Sequence, residues 1–465
     1  MISAIALDLG TTSVKAGLLD RHGALTHIVA HHAPKIDVNG GRYESDALAY
    51  AAIADQALKE CAEQADACKS LGVCSQRSSF LIWERASGKP VTPLISWQDN
   101  RGKASCEALR AQESSVRNLT GLPLTPYYFA PKLRVMLQGN PDWRARLERG
   151  ELLAGTLDTF LIWRWTGGRH FVTDASMAAR TLLMDIRRQQ WSKQLCELFG
   201  IPLNILPEIK TSAGMNLRLD NGLVLQASVG DQSAALFASV SEDRVEALVN
   251  LGTGCFVVRY LPDEFLTAEQ FTLNGYLRTL VYQDRARHAH LAIEGTLNSI
   301  AAALASYPVG ECQIEEIAVD EIFCLAEPSG LGAPYFRNDL GIRFSRPIEH
   351  LTQRQIASLL LEAVIFRVAR ILEDFHHISP LERVYLSGGL SEVRFLRQGI
   401  ARCVPFEVYR LGQAESSLRG AALLAAAMAP AYNRKSERLK IDGNAEALQK
   451  KYRRWKKWLD DLLDS

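Results

Sequence analysis

The sequence predicts an α/β protein built from two similar domains, residues 1–228 and 229–465. Three observations carry that expectation. An apolar, β-forming run at 5–9 breaks into Gly10-Thr11-Thr12-Ser13, and a related run at 247–251 breaks into Gly252-Thr253-Gly254. The chain has 465 residues, more than one hydrophobic core usually holds. Strand patterns alternate with helical ones, and polar and aromatic residues cluster where strands end, the place α/β sheets keep ligands.

Each repeated motif reads as a strand followed by a phosphate-sized turn. Glycine lets backbone amides approach a ligand, and successive N–H groups with small hydroxyls form an anion-binding concavity. Asp8 precedes the first turn, where a carboxylate would hold Mg²⁺ beside phosphates, and Asn250 stands in its place in the second. A single Gly-Thr after a strand is usually an ordinary turn. Its repetition in both halves favours a nucleoside triphosphate clamped between them, with the metal on the first half.

After the first turn, 16–19 continues as a second strand, with a hairpin turn at 20–23. Residues 46–67 carry Ala, Leu and Ile at helical spacing. A short strand at 71–74 delivers Ser75-Gln76-Arg77-Ser78-Ser79; 80–84 is the next strand, and a turn at 87–90 leads to Trp97-Gln98-Asp99. The segment 152–167 is apolar and aromatic, and 191–199 is amphipathic. A strand at 224–229 runs into Gly230-Asp231-Gln232 and a helix, so Asp231 alone would read as a helix N-cap. A long helix covers 359–375, a strand at 384–386 runs into Ser387-Gly388-Gly389, and the small residues of 414–429 predict a closely packed helix. The basic tail from 433 carries Tyr452, Trp455, Trp458 and Leu462 at three- to four-residue spacing, which fits a helix docked by its aromatic face better than a nucleic-acid or membrane contact.

Fifty-three basic residues against 52 acidic ones leave no global field to draw the chain to nucleic acid or an anionic membrane. Nine scattered cysteines show neither C-x-x-C pairs nor zinc spacing, as expected of reduced core residues. Asp8 interrupts the N-terminal apolar run, and the longest apolar stretch, 421–430, is too short to span a bilayer. A cytoplasmic protein is expected, with small molecules as partners, a homodimer as a further option, and no nucleic acid or membrane partner.

In order along the chain stand DLGTTSVKAG, SQRSSFLIW, ISWQDNR, GTLDTFLIW, GDQSAALF, LGTGCF, SGLGAPYF and LSGGL. With these motifs, from residue 5 to about 429, the chain resembles the FGGY family of carbohydrate kinases, and among its members the glycerol kinases. The resemblance implies two actin-like, ribonuclease H-like domains with ATP and substrate in the cleft between them. It implies that Asp8 supports Mg²⁺, that Gly10, Thr11, Thr12, Ser13, Gly252, Thr253 and Gly254 hold phosphates, and that Gly388 and Gly389 meet the adenosine. Asp231 matches the catalytic base. Arg77, Trp97, Tyr127, Gln232 and Phe256 match the polyol pocket, which in glycerol kinases also has a Glu where this chain has Ser78.

That departure predicts a roomier pocket. A carboxylate takes hydrogen bonds from two adjacent hydroxyls, and Ser78 offers one short hydroxyl. Asp99, in Trp-x-Asp-x-Arg, resembles the pentulose-type members and is expected to bind a further sugar hydroxyl. Two smaller departures flank the adenosine: Val393-Arg394 in place of an Asn pair, and Ala301 in place of Gly. The reaction expected is transfer of the γ-phosphoryl group of ATP to a primary hydroxyl, the proton passing to Asp231, whose ordinary pKa of about 3.9 would keep it ionised. A xylulose or ribulose kinase is the alternative enzyme, and a non-catalytic actin-like nucleotide switch the alternative of another class.

Overall fold

The computed structural model describes residues 1–465 except 66, 243–244, 264, 266–274, 413–414, 442 and 444. Positions 66, 414, 442 and 444 of the elements expected from sequence therefore lie outside the described residues. The chain divides into two compact units. The first comprises Met1–Ala238, Arg278–Leu291 and Glu415–Asn433; the second comprises Ser239–Leu277, Ala292–Ala414 and Arg434–Ser465.

The first unit is built on a six-stranded sheet in the order Ala213–Arg218, Val224–Gly230, Ser70–Ser75, Ile2–Leu9, Ser13–Asp20, Leu25–His32. Ile2–Leu9 pairs antiparallel with Ser13–Asp20 and parallel with Ser70–Ser75, which in turn runs parallel to Val224–Gly230. These central strands are buried on both faces, which is why they read as unbroken apolar runs. Register matters here: Leu9 faces Ser75, and Ser75 faces Gly230. The three chains leave the sheet abreast, so Gly10, Gln76 and Asp231 emerge side by side.

Helix Ala47–Ala62 lies on this sheet through Tyr50, Ala51, Ala54, Ala57, Leu58 and Cys61, the face expected from its spacing. Its cap is Asp46, whose carboxylate accepts the amides of Leu48 and Ala49 at 2.8 and 3.0 Å. Asp46→Ala is expected to cost about 1 kcal/mol of stability, read as a lower urea midpoint at unchanged slope. The other face is covered by Ser416–Ala425, the closely packed helix expected from its small residues. A Cβ at Gly72 would run into the Ala421 carbonyl, and one at Gly420 into the Ala234 carbonyl, so backbones touch where side chains would otherwise hold them apart.

A second sheet in this unit runs Asp37–Asn39, Arg42–Ser45, Leu94–Ile95, Phe80–Glu84, Leu152–Thr156. Phe80 pairs with Ile95 on one side and Thr156 on the other. That register brings Ser79 next to Trp97, although the two come from different motifs.

The second unit repeats the first. Its sheet runs 292–297, Cys255–Tyr260, Glu246–Leu251, Arg383–Ser387, Glu407–Leu411, Ser436–Arg438. Glu246–Leu251 pairs antiparallel with the following strand and parallel with Arg383–Ser387, Asn250 facing Ser387, as Asp8 faces Cys74 in the first unit. The long helix Gln353–Ile378 starts at a capping box of Thr352 and Gln355. Helix Glu446–Asp464 is docked by Tyr452 and Trp455, which are buried with Leu459, while Trp458 and Leu462 of the expected face are half-buried; the Trp455 indole N–H donates to the Cys324 carbonyl at 2.9 Å. No helix among the described residues is long and apolar enough to cross a membrane.

Candidate active site

Asp231 is the first residue of helix Asp231–Ser239, directly after the strand end at Gly230. Its Oδ1 accepts the amide of Gln232 at 2.7 Å, so the carboxylate sits at the positive end of the helix. The preceding backbone is pinned by a buried relay. The Gly230 N–H donates to Ser176 Oγ at 2.9 Å, Ser176 Oγ donates to Asp174 at 3.1 Å, and Asp174 also accepts Ser212 Oγ at 2.5 Å. Asp174 is fully buried, and burial pushes its pKa up to about 7.

The expectation of an ordinary pKa for Asp231 is corrected. Its side chain keeps 31% of its surface open, yet the protein packed around it desolvates the charge and raises the pKa, with Arg77 and Arg180 opposing. Asp8 is raised to about 7, first by burial and then by the charge of Asp231. Its Oδ1 is buried with no hydrogen-bond partner. A buried carboxylate raised by the charge of its neighbour Asp231, and left with an orphaned oxygen, is a donor suited to a hard cation. Among the described residues no group of three or more His, Cys, Asp or Glu could hold a metal ion.

Arg77 is 2% exposed, with Nε 3.7 Å from Asp231 Oδ1 and Nη2 donating to Gln232 Oε1. Trp97 donates its indole N–H to Thr11 Oγ1 at 2.9 Å, and its ring lies 5.3 Å from that of Tyr127. The first unit thus brings together Asp8, Thr11, Arg77, Trp97, Tyr127, Asp231 and Gln232 on neighbouring strand ends and the loops that follow them.

Two expected residues are placed otherwise. Ser78 is buried at a positive φ of 65°, and its hydroxyl donates to the Arg180 carbonyl at 3.0 Å rather than standing free. Asp99 has no exposed surface. Its oxygens accept the amides of Tyr43 and Arg101 at 2.8 and 3.0 Å and the Arg101 guanidinium at 2.7 and 2.9 Å, which hold its pKa below the usual carboxylate value against the effect of burial. Asp99 is therefore a structural anion of its loop, and the expectation that it meets a sugar hydroxyl is corrected.

In the second unit, the Gly252 amide closes on the Gly254 carbonyl at 2.8 Å, much as the Gly10 amide closes on Ser13 at 3.1 Å in the first. The Ala301 amide donates to the Thr253 carbonyl at 3.0 Å. Gly388, at φ +87°, lies so close to Leu251 and Asn250 that a Cβ would collide with both, while Gly389 faces open space. Phe256 sits on strand Cys255–Tyr260, opposite Asn250 and Thr296.

Several residues of the site region were not singled out from sequence. Lys132 is fully buried and donates to the Ser78 and Ser96 carbonyls at 3.2 and 2.9 Å, tying the two pocket segments together; burial lowers its pKa to about 7. A lone Lys inside the apolar stretch 129–137 is the signal that marks it. Arg180 stacks on Tyr128 at 5.5 Å and acts on Asp231. Gln76 and Ser79 flank Arg77 and Ser78 in one motif and are equally buried.

Residues 3–249 match the N-terminal domain of the FGGY family of carbohydrate kinases, and residues 247–429 match its C-terminal domain. The chain belongs to this family. This FGGY carbohydrate kinase is 30% identical to a glycerol kinase of Polaromonas sp., over 94% of its own length and 93% of the relative's. It is 32% identical to an apulose kinase of Pectobacterium atrosepticum, with 91% and 89% covered. The crystal structure of Plasmodium falciparum glycerol kinase with ADP shares the fold, with a TM-score of 0.84 at 22% identity over 98% of both chains. The two-domain α/β architecture expected from the motifs is the one found.

Proposed function

We propose that this FGGY kinase transfers the γ-phosphoryl group of ATP to a primary hydroxyl of a small polyol or sugar, glycerol being the first candidate. The observation that carries the reading is Asp231 beside Arg77 and Gln232, with the Trp97–Tyr127 wall in the same unit. Asp231 accepts the proton of the attacking hydroxyl, and a carboxylate raised above its ordinary pKa by burial is the better base for that task. Arg77 and Gln232 orient the acceptor, and the aromatic wall packs its carbon skeleton. The Gly10–Ser13 and Gly252–Gly254 turns are assigned to phosphate oxygens, and Gly388-Gly389, one glycine packed and one open, to the adenosine.

Mg²⁺ fits the carboxylate pair, with Asp8 as its holder and Asp231 as the neighbouring charge. When bound it neutralises phosphate charge; the alignment and the proton transfer rest on the protein's own groups. Nine free cysteines, eight of them buried, agree with a cytoplasmic location.

A ketopentose acceptor is the second reading. It is favoured by the absence of a carboxylate at Ser78 and by the likeness to an apulose kinase. Asp99 no longer supports it. ADP release with Mg-ATP is to be measured against glycerol, erythritol and the ketopentoses, the phosphate position in the product being read by NMR. Preference for glycerol supports the first reading and preference for a ketopentose the second. ADP release with no phosphorylated product from any acceptor would replace both with a nucleotide switch.

A further inference from the structure

We infer that Trp97 couples the acceptor pocket to the first phosphate turn through a closed ring of hydrogen bonds with Thr11, Gln76 and Ser79. This rests on the assignments proposed above for Trp97 and for the turn after Gly10.

The ring can be followed atom by atom. The Trp97 indole N–H donates to Thr11 Oγ1 at 2.9 Å, and Thr11 Oγ1 donates to Gln76 Oε1 at 3.4 Å. Ser79 Oγ donates to the same Gln76 oxygen at 2.8 Å and accepts the Trp97 backbone N–H at 2.9 Å. Each hydroxyl spends its one proton and accepts one bond, so the ring is internally complete. Gln76 carries it into the turn: its Nε2 lies 3.4 Å from the Gly10 carbonyl, which also accepts the Tyr50 hydroxyl at 2.7 Å. Gln76, Ser79 and Tyr50 are all at most 3% exposed.

Two consequences follow for Thr11. Its hydroxyl proton is committed to Gln76, so what it offers a phosphate from the turn is its backbone N–H. The peptide that carries this N–H is held at the Gly10 carbonyl by Tyr50 and Gln76, and among the described residues the Thr11 hydroxyl bonds Gln76 and the indole of the acceptor pocket. Moving Trp97 therefore moves a phosphate ligand, and Trp97 acts on the nucleotide as a positioning residue without touching it. By reciprocity of binding free energies, nucleotide on the turn must favour the indole position that receives the acceptor.

Trp97→Phe keeps an aromatic ring against Tyr127 and removes the N–H donor together with the five-membered ring that carries it. It is expected to weaken Mg-ADP binding without acceptor, measured by calorimetry, by about three- to tenfold, the range of one neutral hydrogen bond. Thr11→Val should weaken it to the same degree, the double variant no further, and Thr11→Ser, which keeps the hydroxyl, should stay near wild type. Melting temperatures are taken alongside, because a ring that serves only the fold would shift them and leave Mg-ADP affinity alone. Independent, additive losses in the double variant would overturn the coupling. So would a Trp97→Phe enzyme with raised acceptor KM and unaltered Mg-ADP affinity, which leaves the acceptor-pocket assignment standing. Unaltered values of both would overturn the coupling and remove Trp97 from the pocket as well.

Discussion

Asp231→Asn is expected to lower turnover by ~10² to 10⁴, the usual span for loss of a general base, while Mg-ADP binding survives. Asparagine has the same shape and retains an oxygen for the Gln232 amide, so the helix start is preserved and only the proton acceptor is lost. Arg77, 2% exposed, loses its counter-charge at 3.7 Å but keeps its bond to Gln232. In the unaltered enzyme the active form is the ionised one. Burial raises the Asp231 pKa, so the acid limb of kcat/KM should lie above the ordinary carboxylate range, activity falling as pH drops through it. Removing the Arg77 charge, as in Arg77→Met, should push that limb higher still. Rate profiles against pH for the three proteins decide the matter. Near-normal turnover in Asp231→Asn would take the residue out of the proton transfer.

Asp8→Asn should separate stability from activity. The folded protein holds the Asp8 proton up to about pH 7, whereas the unfolded chain releases it near the ordinary 3.8. Between those values the folded state binds the extra proton, so this group's contribution to stability declines as pH rises from about 4 to 7 and stays low above. Asparagine carries no charge to desolvate. The metal-free variant should therefore be about 4 kcal/mol more stable than wild type at pH 8 and no more stable at pH 4, by urea unfolding. Its kcat should fall by about two decades or more, because charge neutralisation by a bound cation is worth several kcal/mol. Mg²⁺ with ADP should raise the melting temperature of wild type much more than that of Asp8→Asn. Equal shifts would show that the cation is held elsewhere.

The pairing of halves was legible because it rests on local pattern: an apolar run, a glycine and a small hydroxyl, written twice. Asp231 was legible by its motif, and the tail helix by the spacing of Tyr452, Trp455 and Trp458. What escaped depends on partners distant in sequence. Asp99 looks like a free carboxylate until the backbone of Tyr43, on another strand, is found to occupy it. The pKa of Asp231 follows from burial, which no local window reports. Ser78 was read as an open hydroxyl because its partner, the Arg180 carbonyl, lies 102 positions away. The membership of 278–291 and 415–433 in the first unit is likewise a long-range fact, with only the small residues of the second segment as a local hint.

The contact of Gly72 and Gly420 bears on how the protein is made. The face of the first sheet around Gly72 is shut by the helix Ser416–Ala425, which leaves the ribosome long after every strand of that sheet has been synthesised. Until then the apolar face waits uncovered, a surface on which chaperones act and aggregation starts. A chain that stops short of residue 416 would carry all six strands of the first sheet and no lid for one side of it.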